Sequence, residues 1–268
     1  MNILVLGDVM GVSGRTALHQ NLPKIIKNKE IDFVIVNGEN SADDGKGITQ
    51  DIAEEFFQVG VDVITSGNHI WDKQETTNYI NKESRLLRPA NLIEGSPGRG
   101  YEIYFSKNKK YKIGVVNLMG NVFMRKTEDV FQEANRIRKK MILKKDVDFL
   151  VVDFHGEITS EKMATGHFFD GQATCVVGTH THVPTADTRI LEKGTAYQTD
   201  IGMCGDYNSV IGMDKENSIK RFFKDKNAIK HFPAVGEGTL SGLIVETNTE
   251  TGLAKNVTRL IDGGSLAK

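Results

Sequence analysis

Five short apolar runs in this chain each end in carboxylate, carboxamide or imidazole side chains, and this pattern constrains the fold more than any other. Each run has the length and composition of a buried β-strand, and helical patterns separate several of them. The polar groups at the ends of the runs are Asp8, Glu39 with Asn40, Asn68 with His69, His155, and His180 with His182. Strands that alternate with helices form parallel sheets, whose carboxyl ends meet at one edge and bind ligands there. We therefore expect these side chains to gather along one rim.

The turn from Gly178 to Pro184 contains two of these histidines, two residues apart. Between a glycine and a proline, both imidazoles can turn toward one point. Imidazole nitrogen binds zinc, iron and manganese, so this turn is typical of a metal site. Taken alone, the pattern fits equally well one histidine that caps the strand and one that faces solvent.

The remaining strand ends favour the metal site. Each residue has an ordinary structural interpretation, since Asp8 can cap a helix, Asn68 can form a turn and His155 can be satisfied within the fold. Their recurrence at five successive strand ends is harder to explain in that way. Carboxylate, carboxamide and imidazole together suit two hard or borderline divalent metals, whereas a single tetrahedral zinc needs only about four ligands.

Composition narrows the class of protein. The 268 residues carry a formal net charge of −1, which predicts no general attraction to nucleic acid or anionic membranes. Two cysteines, Cys175 and Cys204, do not make a disulfide framework, and no apolar run approaches the length of a membrane span. The amino terminus enters a strand without the basic region and cleavage site of a signal peptide, so we expect a cytoplasmic protein. Because no linker or repeat interrupts the chain, we interpret residues 1–268 as a single domain.

The spacing of apolar residues outlines the architecture. Amphipathic patterns predict helices over 14–27, 49–59, 127–144, 160–168 and 215–226. Thr49 is the expected N-cap of the second helix. Paired apolar runs predict a central hairpin over 100–118 and a closing hairpin over 239–261. The α/β alternation and the two hairpins together predict a sandwich of two mixed sheets flanked by helices.

The strand-end motifs resemble, in order, those of the calcineurin-like metallophosphoesterases. They are Gly7-Asp8, Asn37-Gly38-Glu39-Asn40, Gly67-Asn68-His69, His155-Gly156-Glu157 and Gly178-Thr179-His180-Thr181-His182. The residues within these motifs are similar to those of one branch, the YmdB-type 2′,3′-cyclic-nucleotide phosphodiesterases. The resemblance spans nearly the whole chain and includes Arg88-Pro89-Ala90-Asn91 and Thr199-Asp200-Ile201-Gly202-Met203. It implies an α/β fold in the form of a four-layer α/β/β/α sandwich of two mixed β-sheets.

The chain departs from the wider superfamily at three motifs. The first reads Asp8-Val9-Met10 where the superfamily has Asp-x-His, and the second carries Glu39 where the superfamily has a bridging aspartate. The third continues with Ile70-Trp71-Asp72 rather than with the acidic residue of the superfamily. These departures are similar to the YmdB-type branch, in which the glutamate bridges two metals and the following asparagine replaces the missing histidine. Asp43-Asp44 stands where the branch has small residues, so we expect a more acidic substrate rim.

The resemblance implies a ligand set for two metals. One metal would be held by Asp8, Glu39, Asn40 and His182, and the other by Glu39, Asn68, His155 and His180. Iron is the metal that the resemblance favours, with manganese as the alternative, and no other cofactor is implied. His69 would point at the substrate as the proton donor to the leaving group. The alternative role for His69 is to orient Asn68.

The reaction implied is hydrolysis of 2′,3′-cyclic nucleotides such as 2′,3′-cyclic AMP, or of similar small phosphodiesters. A hydroxide bridging two metals about 3.5–4 Å apart would attack phosphorus in line with the leaving group. A phosphatase with another phosphoester substrate uses the same site and is an alternative. A regulatory or RNA-binding protein with little or no turnover is a further one, although the charge does not indicate RNA. The resemblance also implies a homo-oligomer and no membrane partner.

Two elements have alternative interpretations. Glu157 either bonds a ligand imidazole or is a solvated surface residue. The glycine-rich segment 202–212 either closes over the substrate or forms a subunit contact. Three histidines outside the motifs are interpreted as structural: His19, His167 and His231.

Overall fold

The chain folds into two six-stranded β-sheets, and the computed structural model describes residues 1–266. The strands are β1 (Asn2–Val9), β2 (Phe33–Asn37), β3 (Val63–Thr65), β4 (Tyr101–Phe105), β5 (Lys112–Met119), β6 (Phe149–His155), β7 (Cys175–Thr179), β8 (Arg189–Ile190), β9 (Ala196–Gln198), β10 (Met203–Cys204), β11 (Leu240–Thr247) and β12 (Ala254–Asp262). The helices are α1 (Gly11–Asn28), α2 (Gln50–Gln58), α3 (Thr76–Tyr79), α4 (Val130–Arg138), α5 (Thr159–Phe169) and α6 (Lys215–Phe222).

Both sheets are mixed. The first has the order β12-β11-β1-β2-β3, with β10 paired to the end of β1, and the second has the order β4-β5-β6-β7-β9-β8. Strands β1, β2 and β3 run parallel to one another, as do β5, β6, β7 and β9. Hairpins supply the antiparallel edges, β11–β12 in the first sheet and β4–β5 and β8–β9 in the second. The carboxyl ends of the parallel strands therefore define one rim in each sheet.

The alternation along β1 shows how the layers form. Ile3 and Val5 pack in the core between the sheets, with residues such as Val115 and Val151 of the second sheet. Leu4 and Leu6 point the other way and share a core with α1 and α2. A third core joins the outer face of the second sheet to α4 and α5. The central strands are buried on both faces, which accounts for their continuous apolar runs. The predicted four-layer α/β/β/α sandwich is confirmed.

The predicted helix over 127–144 is too long. It begins where the Asp129 side chain accepts a hydrogen bond from the Gln132 backbone, and it ends at Arg138. The apolar spacing continues to Met141, which is buried in the same core as the helix but lies in the turn that leads to β6. Lys144 has a φ of 63°, a left-handed conformation that a helix does not contain. The apolar spacing thus predicted the burial of Val130, Ala134, Ile137 and Met141 correctly, but the helix length was wrong, and Ile142, expected on the same inner face, is 40% exposed.

Other elements match within a few residues. The Thr49 side chain caps α2 by accepting a hydrogen bond from the Ile52 backbone, as predicted. Cys204 lies in the short strand β10 and is buried. Within residues 1–266, no helix is both long and apolar enough to cross a membrane. The interpretation of residues 1–268 as a single domain remains a prediction.

Candidate metal centre

Four predicted ligands form one cluster around the imidazole of His155, which lies at the carboxyl end of β6. Its Nε2 atom is 3.0 Å from Glu39 Oε1, 3.1 Å from Asn68 Oδ1 and 3.1 Å from His180 Nδ1. Glu39 follows β2, Asn68 follows β3 and His180 follows β7, so the cluster draws on both sheets. Nitrogen and oxygen atoms converge within the span of a single coordination sphere.

The other three predicted ligands form a second cluster. His182 Nε2 lies 3.2 Å from Asn40 Oδ1 and 4.0 Å from Asp8 Oδ1. Asp8 is completely buried, and its Oδ1 atom has no hydrogen-bond partner among the described residues. Burying an unsatisfied carboxylate oxygen is costly, so such an atom requires a ligand. A cation between Asp8, Asn40 and His182 would satisfy it.

Hydrogen bonds behind the site fix the tautomer of His155. The Thr179 hydroxyl donates to the buried carboxylate of Asp153 at 2.7 Å. Its oxygen must therefore accept from His155 Nδ1, 3.0 Å away. With Nδ1 donating to Thr179, Nε2 is the ring nitrogen that faces Glu39 and Asn68. This is the arrangement that a metal-binding histidine needs.

The other two imidazoles are oriented in the same way. His182 Nδ1 lies 2.8 Å from the Ile211 carbonyl, an acceptor, so the proton is on that atom and Nε2 is free. His180 Nε2 lies 3.1 Å from the Glu157 carboxylate, which leaves Nδ1 free on the side of His155. Glu157 thus contacts a candidate ligand while remaining exposed on its other side. All three imidazoles therefore direct one ring nitrogen into the two clusters and bind a protein group with the other.

The buried acidic and imidazole side chains of the two clusters shift one another's pKa values. Burial disfavours the charged form of His155, but the Glu39 carboxylate outweighs it and raises the pKa of His155 to about 9. Burial likewise opposes ionisation of Glu39, yet His155 lowers the pKa of this carboxyl to about 2. Burial raises the pKa of Asp8 to about 6 and lowers that of His180 to about 3. A bound cation would take the place of the proton shared within this set.

The turn that carries His180 and His182 is strained. Their φ angles are 96° and 66°, in the left-handed region that residues with a Cβ rarely adopt. The carboxylate of Asp200 holds the turn by accepting hydrogen bonds from the Thr181 backbone at 3.1 Å and hydroxyl at 2.6 Å. Lys162 Nζ pairs with the same carboxylate at 2.7 Å and is 1% exposed. A buried ion pair therefore fixes the two histidines in a costly conformation.

Replacing Lys162 by methionine tests this support. The buried Asp200 carboxylate would lose its compensating charge, which typically costs about 3–5 kcal/mol. We expect Lys162→Met to lower the free energy of unfolding by that order in denaturant titrations. The double variant Lys162→Met/Asp200→Asn should recover part of the loss, because no buried charge is then left unpaired. A single variant as stable as the wild type would contradict the assignment.

Comparison with known proteins places this geometry in a family. The model of the YmdB-like protein family matches residues 4–260. The chain belongs to the YmdB-like family. It is 43% identical to the 2′,3′-cyclic-nucleotide 2′-phosphodiesterase of Bacillus subtilis (strain 168) over 261 residues, 97% of each chain.

Solved structures similar to this YmdB-like chain share its full length. A protein of Thermus thermophilus superposes with a TM-score of 0.89 at 35% identity, covering 99% of this chain and 100% of that one. A structure described as a novel phosphatase from Mycoplasma pneumoniae gives a TM-score of 0.88 at 35% identity, covering 98% of this chain and 94% of that one. The fold is therefore shared along the whole length of these proteins.

His69 lies beside the first cluster without joining it. Its backbone N–H donates to Glu39 Oε2 at 2.9 Å, and its ring Nδ1 lies 2.7 Å from Asp72 Oδ2. The ring is thus oriented by Asp72, while Asn68 is oriented by His155. Arg125 approaches the other oxygen of Asp72 at 3.2 Å. Nδ1 is occupied by this carboxylate, which leaves Nε2 as the ring atom free to exchange a proton with a ligand.

Both carboxylates of Asp43-Asp44, which were expected to make the substrate rim more acidic, form ion pairs. Asp43 pairs with Arg15 at 2.6 Å and Asp44 pairs with Lys73 at 2.9 Å. Each carboxylate thus has a cation beside it, and the expected excess of negative charge is offset. The two cations come from α1 and from the segment after β3, positions far from Asp43-Asp44 along the sequence. The comparison of this rim with that of the branch stays a prediction.

Gly67 brings β3 close enough to the site for the first cluster to form. A Cβ at this position would lie 2.2 Å from His155 Cδ2 and 2.5 Å from Glu39 Oε2. Real Cβ atoms do not approach other atoms so closely, so either the imidazole or the carboxylate must move.

We expect Gly67→Ala to lose most of its bound metal while remaining folded, because the overlap falls on two candidate ligands. Elemental analysis together with circular dichroism would measure both effects. Gly95→Ala is the matched control for a glycine-to-alanine exchange away from the site, since nothing lies within 4 Å of a Cβ there. Its left-handed φ of 84° carries a small strain. Full metal content in Gly67→Ala would contradict the close packing.

Sequence reasoning missed the residues that position the ligands. They are Asp153, Thr179, Lys162, Asp200 and Asp72. The first two lie inside strands, where a polar residue gives no signal until the facing sheet is known. Asp200 belongs to one of the motifs that carry the family resemblance, but the sequence assigned it no role. Lys162 lies on the face of α5 that is buried, and this position in the helix is the signal that could have found it.

Proposed function

We propose that this YmdB-like protein is a metal-dependent phosphodiesterase that hydrolyses 2′,3′-cyclic nucleotides. The observation that carries the proposal is the pair of buried ligand clusters, into which three imidazoles each direct a ring nitrogen and in which one Asp8 oxygen is unsatisfied. The activity of the Bacillus subtilis relative, at 43% identity over nearly the whole chain, supports the substrate class.

The two clusters would hold one divalent cation each. Asp8, Asn40 and His182 would bind the first, and Asn68, His155 and His180 the second, with Glu39 shared between them. When bound, two such cations supply a water activated near neutral pH and positive charge opposite the phosphoryl group. The donor set of oxygens and imidazole nitrogens suits iron, which we propose, or manganese. Both cysteines are buried, and burial raises the pKa of each thiol to about 12.

His69 would supply the proton to the leaving alkoxide. Asp72 binds Nδ1 and thereby fixes the ring with Nε2 free to carry the transferred proton. The backbone of His69 is bound to Glu39, so the ring is held at a fixed place beside the ligand cluster. The pairing of Asp43 and Asp44 with Arg15 and Lys73 offsets part of the negative charge that would disfavour an anionic substrate.

Hydrolysis of 2′,3′-cyclic AMP by the purified protein tests the proposal. The protein is stripped with a chelator and assayed with and without added ferrous iron or manganese, and the 2′- and 3′-monophosphates are separated. We expect metal-dependent release of the 3′-monophosphate. A metal-loaded protein that hydrolyses phosphomonoesters but not this diester would instead favour a phosphatase.

We further propose that the protein is a homo-oligomer that associates through the segment around α6. Apolar side chains are exposed there in unusual number, among them Ile219, Phe222, Phe223, Ile229 and Val235. Contiguous exposed apolar surface marks an interaction site. The segment begins at Ile211, whose carbonyl binds the His182 ring, so it continues from the metal centre to the surface.

We expect the double variant Phe222→Asp/Phe223→Asp to shift the protein to a monomer. The two rings are 82% and 81% exposed, so charge at these positions opposes association without disturbing the core. Light scattering after size exclusion measures the mass, and the thermal midpoint reports folding. A wild-type protein that is already monomeric, or a variant of unchanged mass, would contradict the proposal.

A further inference from the structure

The loop between β5 and α4 presents an exposed aromatic ring beside the metal centre. Phe123 is 84% exposed, although most large apolar side chains in this chain are buried. Its φ is 60°, a conformation that is uncommon for a residue with a bulky side chain. The exposed ring buries little apolar surface, and the left-handed backbone is unfavourable, so neither explains why a phenylalanine lies at this position.

Both ends of the loop are attached to the site. Gly120 N–H donates to the carbonyl of His155 at 3.0 Å, and Arg125 pairs with Asp72, which orients His69. Phe123 stands between these two attachments. At ~3.8 Å per residue, its Cα lies within about 11 Å of Gly120 and about 8 Å of Arg125. Phe123 therefore lies near both the His155 side and the His69 side of the site.

The loop is also fixed internally. The carboxylate of Glu161 accepts hydrogen bonds from the backbones of Asn121 and Val122, at 3.0 and 3.2 Å. The Asn121 side chain donates to Thr127 Oγ1 at 2.9 Å and accepts from the Val130 backbone at 3.0 Å. A loop closed on itself in this way presents the ring at low entropic cost to a ligand.

We propose that Phe123 stacks on the base of the cyclic nucleotide and so determines the preference for nucleotide over base-free phosphodiesters. This inference rests on the proposed function of the same site. An aromatic face accepts any of the four bases, because every base has a π-face. Phe123 therefore confers selectivity for a base without selecting which base. Arg125 holds the loop in place through Asp72 and acts as a positioning residue.

The test compares 2′,3′-cyclic AMP with methyl riboside 2,3-cyclic phosphate, which has the same cyclic diester and no base. We expect Phe123→Ala to raise KM for cyclic AMP about 5- to 150-fold, the range that corresponds to loss of one base stack. The base-free substrate should change by less than about twofold, and Phe123→Trp should retain the wild-type KM for cyclic AMP. Phe105→Ala is the matched control, because Phe105 is 57% exposed and pairs with Lys112 at the start of β5, at the opposite rim.

Binding of adenosine 3′-monophosphate and inorganic phosphate to the metal-loaded protein separates this inference from the proposed function. Weaker nucleotide binding by Phe123→Ala, with phosphate binding unchanged, supports the stacking role even if neither cyclic diester is hydrolysed. Hydrolysis of both diesters with equal losses in Phe123→Ala would overturn the inference and leave the proposed function intact. A change in molecular mass in Phe123→Ala would also overturn it, because the ring would then belong to a subunit contact.

Discussion

The Glu39→Gln protein is expected to bind fewer metal ions per chain than the wild type and to lose more than about 100-fold of its turnover. The exchange keeps the size of the side chain and removes the charge that we place between the two clusters. Loss of a group that merely orients a ligand typically costs about 10- to 100-fold in affinity or activity, so loss of a shared ligand should cost more. Elemental analysis and the cyclic AMP assay measure the two effects.

Glu157→Gln is the matched control for that exchange. Glu157 contacts the outer nitrogen of His180 at 3.1 Å and is half-exposed, so it orients a ligand without belonging to either cluster. We expect this variant to retain its metal and to lose about 10-fold or less in turnover. If Glu39→Gln retained full metal content, the shared position of Glu39 would be wrong.

Turnover of His69→Ala should depend strongly on the leaving group. Removing a proton donor typically costs about 10²–10⁴-fold when the departing oxygen is a poor leaving group. We expect a loss of that order on 2′,3′-cyclic AMP, whose leaving group is a sugar alkoxide. On bis(p-nitrophenyl) phosphate, whose leaving group departs without protonation, the loss should be less than about tenfold.

Asp72→Asn separates the position of His69 from its chemistry. Asparagine keeps the shape of the Asp72 side chain but has no negative charge. The Asp72 charge lies beside the His69 ring and favours the form of the ring in which Nε2 carries the proton to be transferred. We expect the same dependence on leaving group with a smaller loss than in His69→Ala. Equal losses on both substrates in His69→Ala would remove the proton-donor role and favour a structural one.

The rim of polar groups was predictable because each followed a run that could only be a buried strand. Asp8, Glu39, Asn68 and His155 needed no knowledge of the partner sheet to be placed at strand ends. The division of the ligands into two clusters came from the resemblance, and the distances around His155 and His182 agree with that division. Their roles as metal ligands stay a prediction until a metal is measured.

The strain in the turn and the support behind it could not be predicted. The residue types of His180 and His182 do not indicate a left-handed backbone. The conformation is stabilised by Asp200 and Lys162, which come from another loop and from a helix. The helix over 127–144 failed for a related reason. Met141 is buried by tertiary packing, and burial at helical spacing does not require a helix.

Anomalous diffraction from crystals of the metal-loaded protein tests the central claim most directly. Data collected on both sides of the iron or manganese absorption edge identify the element and locate each ion. The account predicts two peaks, one bounded by Asp8, Asn40 and His182 and one by Asn68, His155 and His180, with the Glu39 carboxylate reaching both. A single peak, or peaks held by other residues, would contradict a two-metal centre built from these strand ends.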